Sequence, residues 1–231
     1  MKNKYIFTDL YKRAILFFIQ SYIMDVQVSF RHPFTGLVSG PTGSGKTIWV
    51  IKFLKNITHM MSPPPQKIIY CYSEWQNLFK ELVGHVEFVN GLPNVDVLNP
   101  NINNLIIIDD LMEEADASIT RLFTKGSHHR NSSVLFLVQN LFCTNKHFRT
   151  ISLNCQYMVI FRNVRDKTQI SNMARQMYPG NIKYLQSAYL DATSEPFKYL
   201  LIDLKTDSED AYRLKSNIFP DEGLTCCYLP K

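Results

Sequence analysis

The sequence contains no apolar run approaching the ~20 residues that a helix needs to cross a bilayer, which argues against a membrane partner. It has no C-x-x-C pair, and its five cysteines (Cys71, Cys143, Cys155, Cys226 and Cys227) fall at no zinc-binding spacing with the six histidines. Neither a zinc module nor a disulfide framework is therefore expected. The cysteines read as reduced thiols of an intracellular protein, with Cys71 and Cys155 in or beside apolar strands. Repeats and low-complexity stretches are absent too. Charge of neither sign dominates: 25 Lys and Arg oppose 20 Asp and Glu, a formal net charge of +5. That balance is compatible with a polyanionic partner, but the basic residues are scattered rather than clustered. At 231 residues and 45% hydrophobic content, general disorder is excluded and the length suits one α/β domain.

The N-terminus superficially resembles a signal peptide, because Lys2, Lys4, Lys12 and Arg13 precede the apolar run Ala14–Ile19. Gln20 and Ser21 interrupt that run, and no small-x-small cleavage site follows. Residues 1–28 are expected to form an amphipathic extension and 29–231 a single domain, in a protein that is not secreted.

Against these absences stands one complete motif. Residues Gly40-Pro41-Thr42-Gly43-Ser44-Gly45-Lys46-Thr47 match the phosphate-binding pattern G-x-x-x-x-G-K-[ST], the Walker A motif. Glycines let the backbone curl so that successive N–H groups point at an anion, and the helix that follows adds positive potential at its N-terminus. Lys46 is expected to reach the β- and γ-phosphates of ATP, and the Thr47 hydroxyl to ligate Mg²⁺. Leu37–Ser39 before the loop suits a buried strand, and Ile48, Val50, Ile51 and Leu54 after it follow helical spacing.

A second motif, Leu105-Ile106-Ile107-Ile108-Asp109-Asp110, reads as a strand buried on both faces that ends in two carboxylates, the Walker B pattern. Ligands of open α/β sheets sit at that end of the strands. Asp109 is the candidate to hold Mg²⁺ and Asp110 to orient the attacking water, with Glu113 and Glu114 as nearby alternatives for the water.

The remaining pattern alternates between strand and helix. Strands are predicted at 68–72, 134–138, 157–161 and 197–204. Helices are predicted around Trp75–Leu82, around Ile119–Phe123 with an end near His128–Arg130, and from Asp166 to Met177. Crossovers of this kind imply a mostly parallel sheet covered on both faces, a P-loop NTPase fold. A whole strand–helix unit separates the phosphate loop from the Asp109 strand, and the next strand ends in Gln139-Asn140. That order fits the additional-strand, RecA-like ATPase core, in which an inserted strand carries a polar sensor near the γ-phosphate. Gln139 is the sensor candidate, since an amide can hold water with one group and phosphate with the other. No N-K-x-D base-recognition motif is present.

With these residues in view, the chain resembles the genome-packaging ATPases of large DNA viruses (poxvirus-like) and of Polinton/Maverick-type elements, in the FtsK/HerA superfamily. The resemblance covers roughly residues 30–180. It is carried by Leu105–Asp110, Thr120–Asn131 and Val134–Phe142, with His32–Thr35, Arg149–Asn154 and Arg162–Asp166 adding to it. It implies an ATP-hydrolysing homo-oligomeric ring that drives double-stranded DNA into a capsid, with a capsid or portal partner. Such a ring needs a cation supplied in trans to the γ-phosphate. Arg130 is the first candidate, on the reading that it lies at a sheet edge facing a neighbour, with Arg149 and Arg165 behind it. The stretch Cys143–Arg149 is the candidate DNA-contacting loop. Two other readings remain open at this point: an AAA-type helicase or remodelling ATPase, and a nucleotide-gated switch without motor activity. The last fifty residues carry no resemblance.

Overall fold

Ile106, Ile107 and Ile108 are all fully buried although successive side chains of a strand point to opposite faces. Both faces of their strand must therefore be covered. The computed structural model describes residues 19–24, 28–94, 98–112, 117–126, 130–142 and 146–230. In chain order it contains β1 (Ile19–Met24), β2 (Phe30–Arg31), β3 (Thr35–Ser39), α1 (Lys46–Lys55), α2 (Ile57–Met60), β4 (Met61–Ser62), β5 (Lys67–Tyr72), a 3₁₀ turn (Asn77–Leu82), β6 (Glu87–Asn90) and β7 (Asn104–Asp109). Then come α3 (Ala117–Arg121), which runs into a π-helical turn (Leu122–Gly126), β8 (Ser132–Val138), α4 (Lys146–Leu153), β9 (Tyr157–Phe161), α5 (Thr168–Met177) and α6 (Ile182–Ala192). The C-terminal part adds β10 (Tyr199–Asp203), β11 (Leu214–Ser216) and β12 (Thr225–Pro230).

Among the described residues one ten-stranded sheet runs in the order β1-β12-β11-β10-β9-β3-β8-β7-β5-β6. The six strands from β9 to β6 are parallel. The four from β10 to β1 are joined antiparallel, to β9 and to one another. Alternating residues divide the core. Ile106, Ile108, Val134, Phe136 and Ile160 pack with α3, α4, α5 and α6 on one face. Leu105, Ile107, Leu135, Leu137 and Val159 pack with α1 and the 3₁₀ turn on the other. This is the mostly parallel, doubly covered sheet that the alternation of strands and helices implies. β8 lies between β3 and β7, so the strand of the phosphate loop and the strand of Asp109 are not neighbours.

Local differences from the sequence reading have local causes. Ile48 is 56% exposed, and the buried stripe of α1 is Trp49, Val50, Ile51, Phe53 and Leu54, because Ile48 lies toward the phosphate-loop cavity. The Trp75–Leu82 segment is a 3₁₀ turn from Asn77, with Phe79 and Leu82 buried and Trp75 outside it, exposed beside Tyr72 and Phe88. The stretch read as a loop to Arg149 is helical from Lys146. Phe148 and Ile151, three apart, anchor one face of α4 in the core, while residues 143–145 lie outside the described part. β6, α6, β11 and β12 had no counterpart in the sequence reading. Within residues 1–28, Ile19–Met24 pair in register with Pro230–Thr225 and so form an edge of the sheet. Glu113, Glu114, His128 and His129 lie outside the described residues. No helix of the described residues is long and apolar enough to cross a membrane.

Candidate functional site

The chain leaves β3 at Ser39 and turns directly into the loop, tied to the neighbouring strand by Gly40 N–H donating to Val138 O at 3.2 Å. Gly40 admits no side chain: a Cβ there would lie 2.6 Å from Ser44 Oγ and 2.7 Å from Phe161 Cβ. Gly45, at φ 104, occupies a backbone conformation that L-residues avoid, and it opens α1 without any side-chain cap. The first turn of α1 carries no acidic residue. Its unpaired N–H groups therefore keep their positive potential at the loop, the arrangement that binds phosphate.

The lysine is poised over the same loop. Lys46 Nζ donates to Gly40 O at 2.6 Å and Pro41 O at 3.2 Å. Burial lowers its pKa, while the negative charges of Asp109 and Asp110 act the other way.

Strand parity brings the acids to the same place. Asp109 continues the face of Leu105 and Ile107, the face that carries α1. Its Oδ2 accepts from Tyr70 Oη at 2.7 Å and lies 3.4 Å from Thr47 Oγ1. Asp109 is buried, and burial raises its carboxyl pKa above the ordinary value. Asp110 adds to the rise, and Tyr70, Lys46 and Thr47 oppose it. Tyr70 itself is fully buried and held in its neutral form by burial and by Asp109. Tyr70 is a site residue that the sequence reading missed. It stands on β5, beside β7, in a register that places it opposite Ile107, and only the strand pairing reveals its partner.

Asp110 leaves the strand with φ 56 and turns its carboxylate outward, where Gln139 Nε2 donates to Oδ1 at 3.3 Å. Gln139 follows Leu137 by two residues and so shares its face. Thr42, Gly43, Gly45, Lys46, Thr47, Asp109, Asp110 and Gln139 line one cavity of about 270 Å³, with Ile48, Gln76, Leu78, Met112, Leu137 and Phe197 completing its wall. Behind β8, Gln169 of α5 accepts from Leu141 N–H at 2.9 Å and donates to Asp166 at 2.8 Å, which fixes the segment after Gln139.

The hydroxyl of Thr47 and the carboxylate of Asp109, side by side at the foot of the loop, are the hard oxygen donors that Mg²⁺ prefers. Lys46, Thr47, Asp109, Asp110 and Gln139 are thus brought together, and Arg130 is not. β8 is an interior strand rather than an edge, and Arg130 precedes its first residue while the cavity lies beyond its last. The six steps from Ser132 to Val138 separate them by about 20 Å. Asn131 marks that far end, accepting through its backbone carbonyl from Asn104 N–H and through its side-chain Oδ1 from His32 Nε2. Arg149 is exposed on α4. Arg162 and Arg165 follow the C-terminal end of β9, the end at which the phosphate loop lies.

No protein-family model matches the sequence, and no curated protein matches it. Solved structures do share the fold. The genome packaging NTPase B204 of Sulfolobus turreted icosahedral virus 2, in complex with ATP-gammaS, superposes with a TM-score of 0.51 at 11% identity, over 79% of this chain and 96% of that one. The same NTPase in complex with AMPPCP gives 0.50 at 12% identity over the same shares. The likeness is one of fold, that of a P-loop NTPase.

Proposed function

We propose that this chain is an ATP hydrolase whose turnover drives double-stranded DNA into a viral or virus-like capsid. The observation that carries the reading is the strand order β3-β8-β7, which sets Gln139 between the phosphate loop and the two acids and gathers all of them on one cavity. In this reading the loop and the N-terminus of α1 bind the phosphates, and Lys46 exchanges its loop carbonyls for the β/γ-phosphate charge. Thr47 and Asp109 would hold Mg²⁺, which when bound neutralises phosphate charge. Asp110 polarises the attacking water, and Gln139, already bonded to it, joins that water to the γ-phosphate.

The packaging role is supported by two things together: the resemblance over residues 30–180 and the fold shared with a viral packaging NTPase. A ring of identical subunits would supply the trans cation. Arg162 and Arg165, at the cavity's end of the sheet, suit that role better than Arg130.

ATPase rate with and without long duplex DNA is the test. Stimulation by DNA that disappears in Lys46→Ala supports the motor. Hydrolysis indifferent to DNA favours a nucleotide-gated switch, and separation of a forked duplex favours a helicase. Wild-type turnover in Lys46→Ala would remove the site assignment altogether.

A further inference from the structure

Phe197 is 67% exposed, although a phenyl ring gains by leaving water. Its backbone sits at φ 64, a left-handed conformation that is an outlier for a bulky residue. The ring lies against the phosphate loop: a Cβ built on Gly45 would stand 3.3 Å from Phe197 Cδ1. Two further exposed apolar side chains, Ile48 (56%) and Leu78 (38%), line the same cavity. Backbone strain and an uncovered aromatic at the mouth of a phosphate-binding cavity call for an apolar, planar occupant joined to phosphate.

We propose that Phe197 is the stacking platform for the nucleobase of a bound nucleoside triphosphate, with Ile48 and Leu78 supplying apolar wall. This rests on the nucleotide reading of the site and extends it to a residue outside both sequence motifs. The ring holds the base over the loop from the segment that joins α6 to β10. Stacking is tolerant of base identity because every base has a π-face.

Calorimetric binding of AMPPCP, its guanine counterpart and inorganic tripolyphosphate to the full chain tests it. Phe197→Leu keeps the apolar character and the backbone demand but removes the ring. It is expected to weaken both nucleotides on the order of tenfold and to leave tripolyphosphate unchanged, while Phe197→Tyr binds all three as wild type does. In Phe197→Trp the introduced indole fluorescence should be quenched by AMPPCP and not by tripolyphosphate. Wild-type nucleotide affinity in Phe197→Leu, or an equal loss for tripolyphosphate, would overturn the proposal. Lys46→Ala separates the two levels. If that variant binds AMPPCP normally, the nucleotide reading itself fails. If it loses binding while Phe197→Leu keeps it, only the stacking role fails.

Discussion

At the scale of single residues, Asp109 shows how function and stability oppose each other. Its carboxyl has a higher pKa in the folded chain than in the unfolded one, chiefly through burial. Its contribution to stability is therefore present below the unfolded pKa and lost as pH rises through the folded pKa. In metal-free buffer at neutral pH, Asp109→Asn should raise Tm by about 2–4 °C, the shift that goes with ~1 kcal/mol in a chain of this size. The same variant should lose Mg²⁺-dependent hydrolysis, and calorimetry beside an ATPase assay checks both. Tyr70→Phe removes the 2.7 Å donor to that carboxylate. A hydrogen bond to a charged group is worth about 1.5–3 kcal/mol, so the Mg²⁺ concentration for half-maximal activity should rise at least tenfold in a metal titration. Asp110→Asn keeps a residue type that tolerates the left-handed backbone. It should bind Mg·ATP normally and hydrolyse it ~10²–10⁴-fold more slowly, as read by single-turnover kinetics. The motif residues of this site were legible in the sequence because each run is contiguous and the chemistry fixes its spacing. Tyr70 and Phe197 were not, since nothing in their local sequence points to partners 39 and 152 positions away.

At the scale of elements, the helix of the phosphate loop is clamped by the C-terminal part of the chain. Lys52 of α1 meets Asp221 at 2.8 Å and Glu222 at 3.2 Å, and its ammonium lies 4.5 Å from the centre of the Phe219 ring. Glu222 also accepts from the buried Tyr199 hydroxyl at 2.6 Å, and Trp49 packs edge-on against Tyr199 and Phe219. Glu222→Ala would strip that acceptor from Tyr199, at a cost of about 1–3 kcal/mol. The urea midpoint should fall accordingly with its slope unchanged. Of the last fifty residues only β10 was anticipated as a strand: β11 has just three residues, and β12 pairs with β1 from the opposite end of the chain. The parallel strands β3, β5, β7, β8 and β9, by contrast, were legible as apolar runs, whereas β6, with a polar residue at each end, was not. The β1–β12 ladder consists of six pairs. Removing residues 1–28 would bare the β12 edge, so a lower Tm and concentration-dependent self-association by light scattering are expected.

At the scale of the whole molecule, the six parallel strands end at one side of the sheet, where the segments that end or follow β3, β5, β7 and β8 line the cavity, and the antiparallel wing extends the sheet. A ring motor built from this subunit must expose the cavity's end to its neighbour, because the trans cation has to arrive there. Native mass spectrometry with ATP and duplex DNA should therefore show a closed oligomer. Mixtures of Arg165→Ala with Lys46→Ala subunits should recover ATPase activity that neither has alone. The direction of β10 has a practical consequence. Because it runs against β9, the loop before it reaches Gly45 through Phe197, while the loop after it returns to the opposite end of the sheet, where Asp207 pairs with Arg31. Residues 197 and 207, ten apart in the chain, thus lie beyond opposite ends of β10, whose five residues span about 13 Å. A tether or label on the far hairpin would leave the nucleotide mouth open, so single subunits could be fixed to a surface by one end while nucleotide binding is watched at the other.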